Sequence, residues 1–190
     1  MTIAQRTRPT MTLDEFLALP EEKPALEYQD GVVTQKMAPN WDHGTLQVLI
    51  PERINIYARP RRLAFAFAEL RTTDRAANAS LVPDVSVYVW DRIERDREAR
   101  SRGAFTPPDI AIEIASPGQG RRRLIERCRG FVERGSRAAV LVDPQREDIV
   151  EVRPGGVQRR LRGSDVLDLD DVIPGLAIVV GELFAALTFD

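Results

Sequence analysis

Apolar and polar positions divide this chain into short alternating runs and two longer stretches of helical period. Thr12 followed by Glu15 reads as a capping box. It predicts a short helix with Phe16, Leu17 and Leu19 on its buried side, stopped by Pro20, a brace rather than a core element. Residues 27–37 place Asp30-Gly31 between two half-alternating runs, a strong short-range hairpin signal. From Asp42 onward Leu46, Leu49, Ile50, Ile54 and Tyr57 recur at roughly 3.6-residue spacing, a helix that Pro51 could kink or restart. Residues 63–70 read as a strand, followed by a polar loop and a second strand over 81–90. The run 91–103 mixes charges of both signs and reads as a solvated helix or loop.

A third strand over 109–115 is broken by Ser116-Pro117-Gly118. The amphipathic helix that follows, 121–134, carries Leu124, Ile125, Cys128, Phe131 and Val132 on one stripe, and Gly135 caps it. The continuous apolar run 138–142 is written like a central strand buried on both faces. Strand, helix and buried strand in that order predict a right-handed crossover and a parallel pair. A further strand over 148–152 and a tail with Pro174-Gly175 and Leu183-Phe184 complete an α/β pattern with a mixed sheet. With no internal repeat or long linker, the expectation is a loose segment at 1–10 and one domain over 11–190.

Composition narrows the picture only slightly. An apolar content of 43% in 190 residues can bury a core without disulfides, and a net charge of −2 provides no global basic field for nucleic acid. Any such surface must be local. Lysine occurs only at 23 and 36; every other basic residue is arginine. The single cysteine, Cys128, falls on the apolar stripe and suits a reducing compartment, so a cytoplasmic location is expected. No run has the length of a membrane span, and the first ten residues lack the apolar stretch of a signal peptide.

Candidate chemistry sits on two strands. Alternation puts Ile110, Ile112 and Ile114 on one face and Ala111, Glu113 and Ala115 on the other. The same arithmetic separates Val85, Val87 and Val89 from Asp84, Ser86 and Tyr88, so Asp84 and Glu113 can share a face. An acid inside an apolar strand is costly to bury unless paired or bound to a cation. Two such acids, supported by a third carboxylate, make an oxygen-only site of the kind Mg²⁺ or Mn²⁺ occupies. Two blander readings stand beside this one: Asp84, after Pro83, as a turn residue starting a strand, and Glu113 as the partner of an arginine on the next helix.

The string Glu27 to Gly31, then Pro39 with His43, PDV at 83–85, PDIAIEIASP at 108–117, FVERG at 131–135, VLVDP at 140–144 and PG at 174–175 resembles, in order and spacing, the Uma2 family of endonucleases, also called DUF820. That resemblance runs from about Thr12 to the C-terminus and implies a restriction-endonuclease-like fold of the PD-(D/E)XK type. It implies that Asp84 is the acid of the PD motif, Glu113 the acid of the (D/E)XK motif and Glu27 the N-terminal acid, with His43 a histidine frequent at the start of the family's helix. Where the parent motif has lysine, two positions after Glu113, this chain has Ala115. In Uma2-like sequences the cation comes from the following helix, four residues before an aromatic, which here is Arg127 before Phe131. Arginine stabilises a phosphoryl transition state but cannot serve as a general base.

Lys36 is a second candidate for that cation, ranked below Arg127 because strand lysines usually guard edges. Arg121, Arg122 and Arg123 open the helix beside the site and are candidates for phosphate contacts; Trp41 is expected to pack. The function expected is metal-dependent hydrolysis of DNA. A nuclease fold that binds DNA or assembles without cleaving it is the alternative, since arginine stands where lysine is expected. A homodimer is expected from the family type.

Overall fold

A computed structural model of the chain describes residues 10–101, 104 and 106–189. The loose segment expected at 1–10 therefore lies, but for Thr10, outside the described residues. Along the chain run α1 (Leu13–Leu17), β1 (Leu26–Gln29), β2 (Val32–Gln35), α2 (Trp41–Ala58), β3 (Ala64–Ala68), β4 (Thr72–Asp74), β5 (Ala79–Leu81) and β6 (Val85–Val89). There follow α3 (Arg97–Arg100), β7 (Ile110–Ile114), α4 (Arg121–Glu133), β8 (Ala138–Asp143), β9 (Asp148–Val152), β10 (Gln158–Arg162), β11 (Val166–Asp168), β12 (Ala177–Val179) and α5 (Val180–Ala185).

The main sheet has six strands in the order β10-β9-β8-β7-β6-β3. Only β7 and β8 are parallel, joined by α4, as the strand-helix-strand pattern predicts. One face of this sheet meets α2 and the C-terminal elements through Leu46, Ile50, Ile54, Val85, Val87, Ile110, Ile112, Ile114 and Phe184. The other meets α4 through Ala111, Ala139, Leu141, Leu124, Cys128 and Phe131. Glu113 lies on the α4 side, the face that alternation assigned to it. Pro51 is accommodated inside a continuous α2, buried on the core side.

A second sheet, β2-β1-β5-β4, carries α1. Its β1–β2 hairpin turns at Asp30 (φ 50°) and Gly31 (φ 87°), the two left-handed positions that a two-residue loop needs. The capping box at Thr12 and Glu15 is present, and Phe16 packs on Tyr28 with ring centroids 5.4 Å apart.

Two expectations are corrected here. The polar loop after β3 is a hairpin, β4–β5, whose Thr72, Thr73 and Ser80 are buried because their hydroxyls bond across it: Thr73 to Ser80 at 3.0 Å, and Thr72 to Tyr88 of the main sheet at 3.2 Å. The strand read over 81–90 is two strands in different sheets. Pro83 lacks an N–H, and the N–H of Val82 leaves the ladder to bond the Glu27 carboxylate at 2.8 Å. The tail, read only as tail, supplies β10, β11, β12 and α5.

Candidate active site at the junction of the two sheets

Asp84 stands at the threshold of β6. The antiparallel register of β6 and β7 pairs Val85 with Ile112, and carried one residue further it sets Asp84 opposite Glu113. Residues directly opposed in such a pair have Cβ atoms about 5 Å apart. The side chain of Asp84 reinforces that position, since its Oδ2 accepts from the N–H of Ile114 at 2.7 Å. Both acids are almost completely buried. The turn reading of Asp84 and the arginine-partner reading of Glu113 are each correct as geometry, and each belongs to the same cluster.

The second sheet brings two further groups, Lys36 and Glu27. Lys36, one residue past β2, donates to Asp84 Oδ1 at 2.6 Å and to the Val82 carbonyl at 2.9 Å. Its side chain is 13% exposed, so the edge-guard reading of this lysine is wrong. Glu27, from β1, accepts from both terminal nitrogens of Arg127 at 2.6 and 2.9 Å. The Nε of Arg127 lies 2.8 Å from Glu113 Oε1. That approach is off the line of the N–H, and Oε1 receives no hydrogen bond. Arg127 is thus shared by two acids and also lies over the Phe131 ring at 5.3 Å.

His43, in the first turn of α2, is held by Asn40, which caps the helix through the His43 N–H at 3.0 Å. Its Nδ1 lies 3.0 Å from Ser116 Oγ and its Nε2 lies 3.4 Å from Asp84 Oδ1. Ser116, just beyond β7, is a site residue that sequence reasoning missed; its place after PDIAIEIA was noticed only as a strand break. The structure therefore brings together Glu27, His43, Asp84, Glu113 and Arg127, with Lys36 and Ser116 added.

The three arginines at the start of α4 part company. Arg121 is spent inside the fold, bonding the buried Asp143 and, at 2.7 Å, the buried Asp148. Arg122 and Arg123 are exposed and take up no ion pair or hydrogen bond among the described residues.

Burial alone would raise the pKa of Asp84, but His43 and Lys36 outweigh it and hold the carboxyl well below its usual range. Burial opposes the Lys36 charge too, yet Asp84, Glu113 and Glu27 together keep the ammonium above its ordinary value. Glu113 goes the other way. Burial, seconded by the charges of Asp84 and Glu27, exceeds the help from Arg127 and Lys36 and pushes it up to about 7. A carboxyl raised in the folded state contributes stability that is complete below its unfolded value of 4.5 and is lost as pH rises through about 7. Glu113→Gln is therefore expected to stabilise the metal-free protein above pH 7 by up to about 3 kcal/mol and to flatten the pH dependence between these values. Thermal melts of both proteins at pH 5 and pH 8 in EDTA check this, and equal melting differences at the two pH values would contradict it.

The donor set suits a hard divalent cation in one respect and limits it in another. Asp84 and Glu113 offer only oxygens, one of them unsatisfied and buried, and their mutual repulsion is what a cation relieves. Yet no group of three or more His, Cys, Asp or Glu side chains among the described residues is arranged to hold a metal. Two carboxylates with substrate and solvent oxygens filling the other positions is a pattern Mg²⁺ accepts. No helix among the described residues is long and apolar enough to cross a membrane.

Comparison with known proteins bears on the family and the fold. The crystal structure of a "putative nuclease belonging to DUF820" from Anabaena variabilis ATCC 29413 matches with a TM-score of 0.84 and 32% identity, over 94% of this chain and 99% of that one. Among curated proteins there is no match. The family model described as "Putative restriction endonuclease" matches residues 13–181, nearly the whole chain, and the chain accordingly belongs to the Uma2 family.

Proposed function

We propose that this protein is a divalent-metal-dependent endonuclease that hydrolyses DNA phosphodiester bonds at Asp84 and Glu113. One observation carries the reading: two buried acids opposed across β6 and β7, with a lysine ammonium 2.6 Å from the first of them. Asp84 and Glu113 would hold Mg²⁺ or Mn²⁺. The chemistry such an ion supplies is polarisation of a phosphoryl oxygen and activation of water for attack.

The rest falls to side chains of this chain. The Lys36 ammonium is the positive charge placed to face the phosphoryl group as negative charge builds on it. Held protonated by three acids, it acts as a fixed charge rather than as a base. Arg127 holds Glu27 and Glu113 in place, and Glu27 in turn fixes the Val82–Asp84 segment through the Val82 N–H. His43 links Asp84 to Ser116 and sets the start of α2 against the site. The non-cleaving alternative draws its weight from arginine standing for lysine at 127; the lysine beside Asp84 is the observation that favours cleavage over it.

Supercoiled plasmid incubated with Mg²⁺ or Mn²⁺ is expected to be nicked, and EDTA to stop the reaction. Absence of nicking by the wild type with either ion would overturn the proposal.

A further inference from the structure

The two acids of the site stand differently toward a cation. Glu113 Oε1 is buried and accepts no hydrogen bond among the described residues. Asp84 is the opposite case. Its Oδ2 accepts from the Ile114 N–H at 2.7 Å, and its Oδ1 accepts from the Lys36 ammonium at 2.6 Å, with His43 Nε2 3.4 Å away. A magnesium ion lies about 2.1 Å from each oxygen that binds it. On Oδ1 it would share one oxygen with the ammonium, two positive centres less than about 5 Å apart among buried side chains, where their repulsion is poorly screened.

Of the two cations in the cluster, Lys36 is the one placed to yield. Arg127 is tied by both terminal nitrogens to Glu27, lies against Glu113 and covers the Phe131 ring. Lys36 is held by two bonds at the end of a flexible stem, one to Asp84 and one to the Val82 carbonyl. Its backbone N–H is fixed on the Ala25 carbonyl at 2.9 Å, so the side chain can turn while the end of the strand stays in place.

We propose that Lys36 is an internal cation that latches Asp84 and competes with a divalent ion for Oδ1, so that the ammonium leaves this oxygen whenever the ion is bound. The inference rests on the nuclease reading and adds a control on that same site. The released ammonium keeps its charge, its Val82 acceptor and its place beside the acids, where its freed donor can face the phosphoryl group. Until then Glu113 is offered to an ion and Asp84 is withheld, and the protein alone binds the ion weakly.

The chain has only two lysines, Lys36 and Lys23, and the side chain of Lys23 is 84% exposed. Lysine isotopically labelled at Nζ therefore reports on the latch by NMR in the wild-type protein, because a buried, hydrogen-bonded ammonium exchanges its protons with water slowly. Titration with Mg²⁺ is expected to shift the Lys36 signal and speed its exchange, and Glu113→Gln to abolish that response. By calorimetry, Lys36→Met and Lys36→Gln should each bind Mn²⁺ at least about tenfold more tightly than the wild type. A Lys36 signal unmoved at Mg²⁺ concentrations that fill the site, or equal Mn²⁺ affinity in the wild type and both variants, would overturn the latch while leaving the nuclease reading intact. Failure of the wild type and of both variants to bind Mn²⁺ at all would overturn the latch together with the metal on which that reading depends.

Discussion

Asp84→Asn is expected to reduce DNA nicking by on the order of 10³-fold, the largest single effect in the protein, because it removes a charged oxygen donor from the proposed metal site at one stroke. The substitution preserves shape and the acceptor for the Ile114 N–H, so the backbone at the strand threshold has no reason to move. It does leave the Lys36 ammonium without its ionic partner. Because Lys36 retains some exposure and a second acceptor in the Val82 carbonyl, the stability loss should be only about 1–3 kcal/mol. Plasmid nicking and a thermal melt on the same preparation separate the two effects. Nicking equal to wild type would end the assignment of Asp84 to the chemistry.

The second large effect distinguishes the two cations. Lys36→Met should lower cleavage by about 10²–10³-fold, the usual consequence of losing one preorganised positive group at a developing charge. Mn²⁺ binding by calorimetry should survive, since the competing ammonium is gone while both carboxylates remain. Arg127→Ala should behave differently. It strips the shared partner from buried Glu27 and Glu113, leaving their charges uncompensated, and breaking a buried pair costs about 3–5 kcal/mol. The protein should therefore lose stability first, with activity failing as a result, whereas Arg127→Lys should keep much of both. If Lys36→Met cleaves normally while Arg127→Lys is inactive at temperatures where it is folded, the roles are reversed.

Much of the site could be read from local periodicity. Alternation along 110–114 separates Glu113 from three isoleucines in sequence as cleanly as it does in space. Asp30-Gly31 announces its hairpin because Asp and Gly favour the left-handed φ values the turn needs, and the stripe through Leu124, Cys128 and Phe131 places α4. What escaped depends on partners far along the chain. Thr72, Thr73 and Ser80 look like loop residues because their burial is made affordable by hydroxyl bonds that no short window contains. Lys36 follows the last residue of β2, so the pleat does not dictate its direction, and its partner lies 48 positions away. A signal was present all the same: a chain that uses arginine at almost every basic position keeps a lysine there. Trp41 and Arg121 were exchanged in effect, the aromatic taken for interior and the cation for surface, because type is only a weak guide where a specific partner decides.

The hairpin that delivers Glu27 and Lys36 has one further consequence. Three carboxyl groups, Glu27, Asp84 and Glu113, are met by two built-in positive side chains, Lys36 and Arg127. With Glu113 pushed up to about 7, the resting centre is close to electrical balance near neutrality before any ion enters, and docking of the small sheet against the large one is rewarded without help from solution. Under the proposed function a metal would be a visitor to this centre rather than its keystone, arriving with the polyanion and leaving with the products while the scaffold stays assembled.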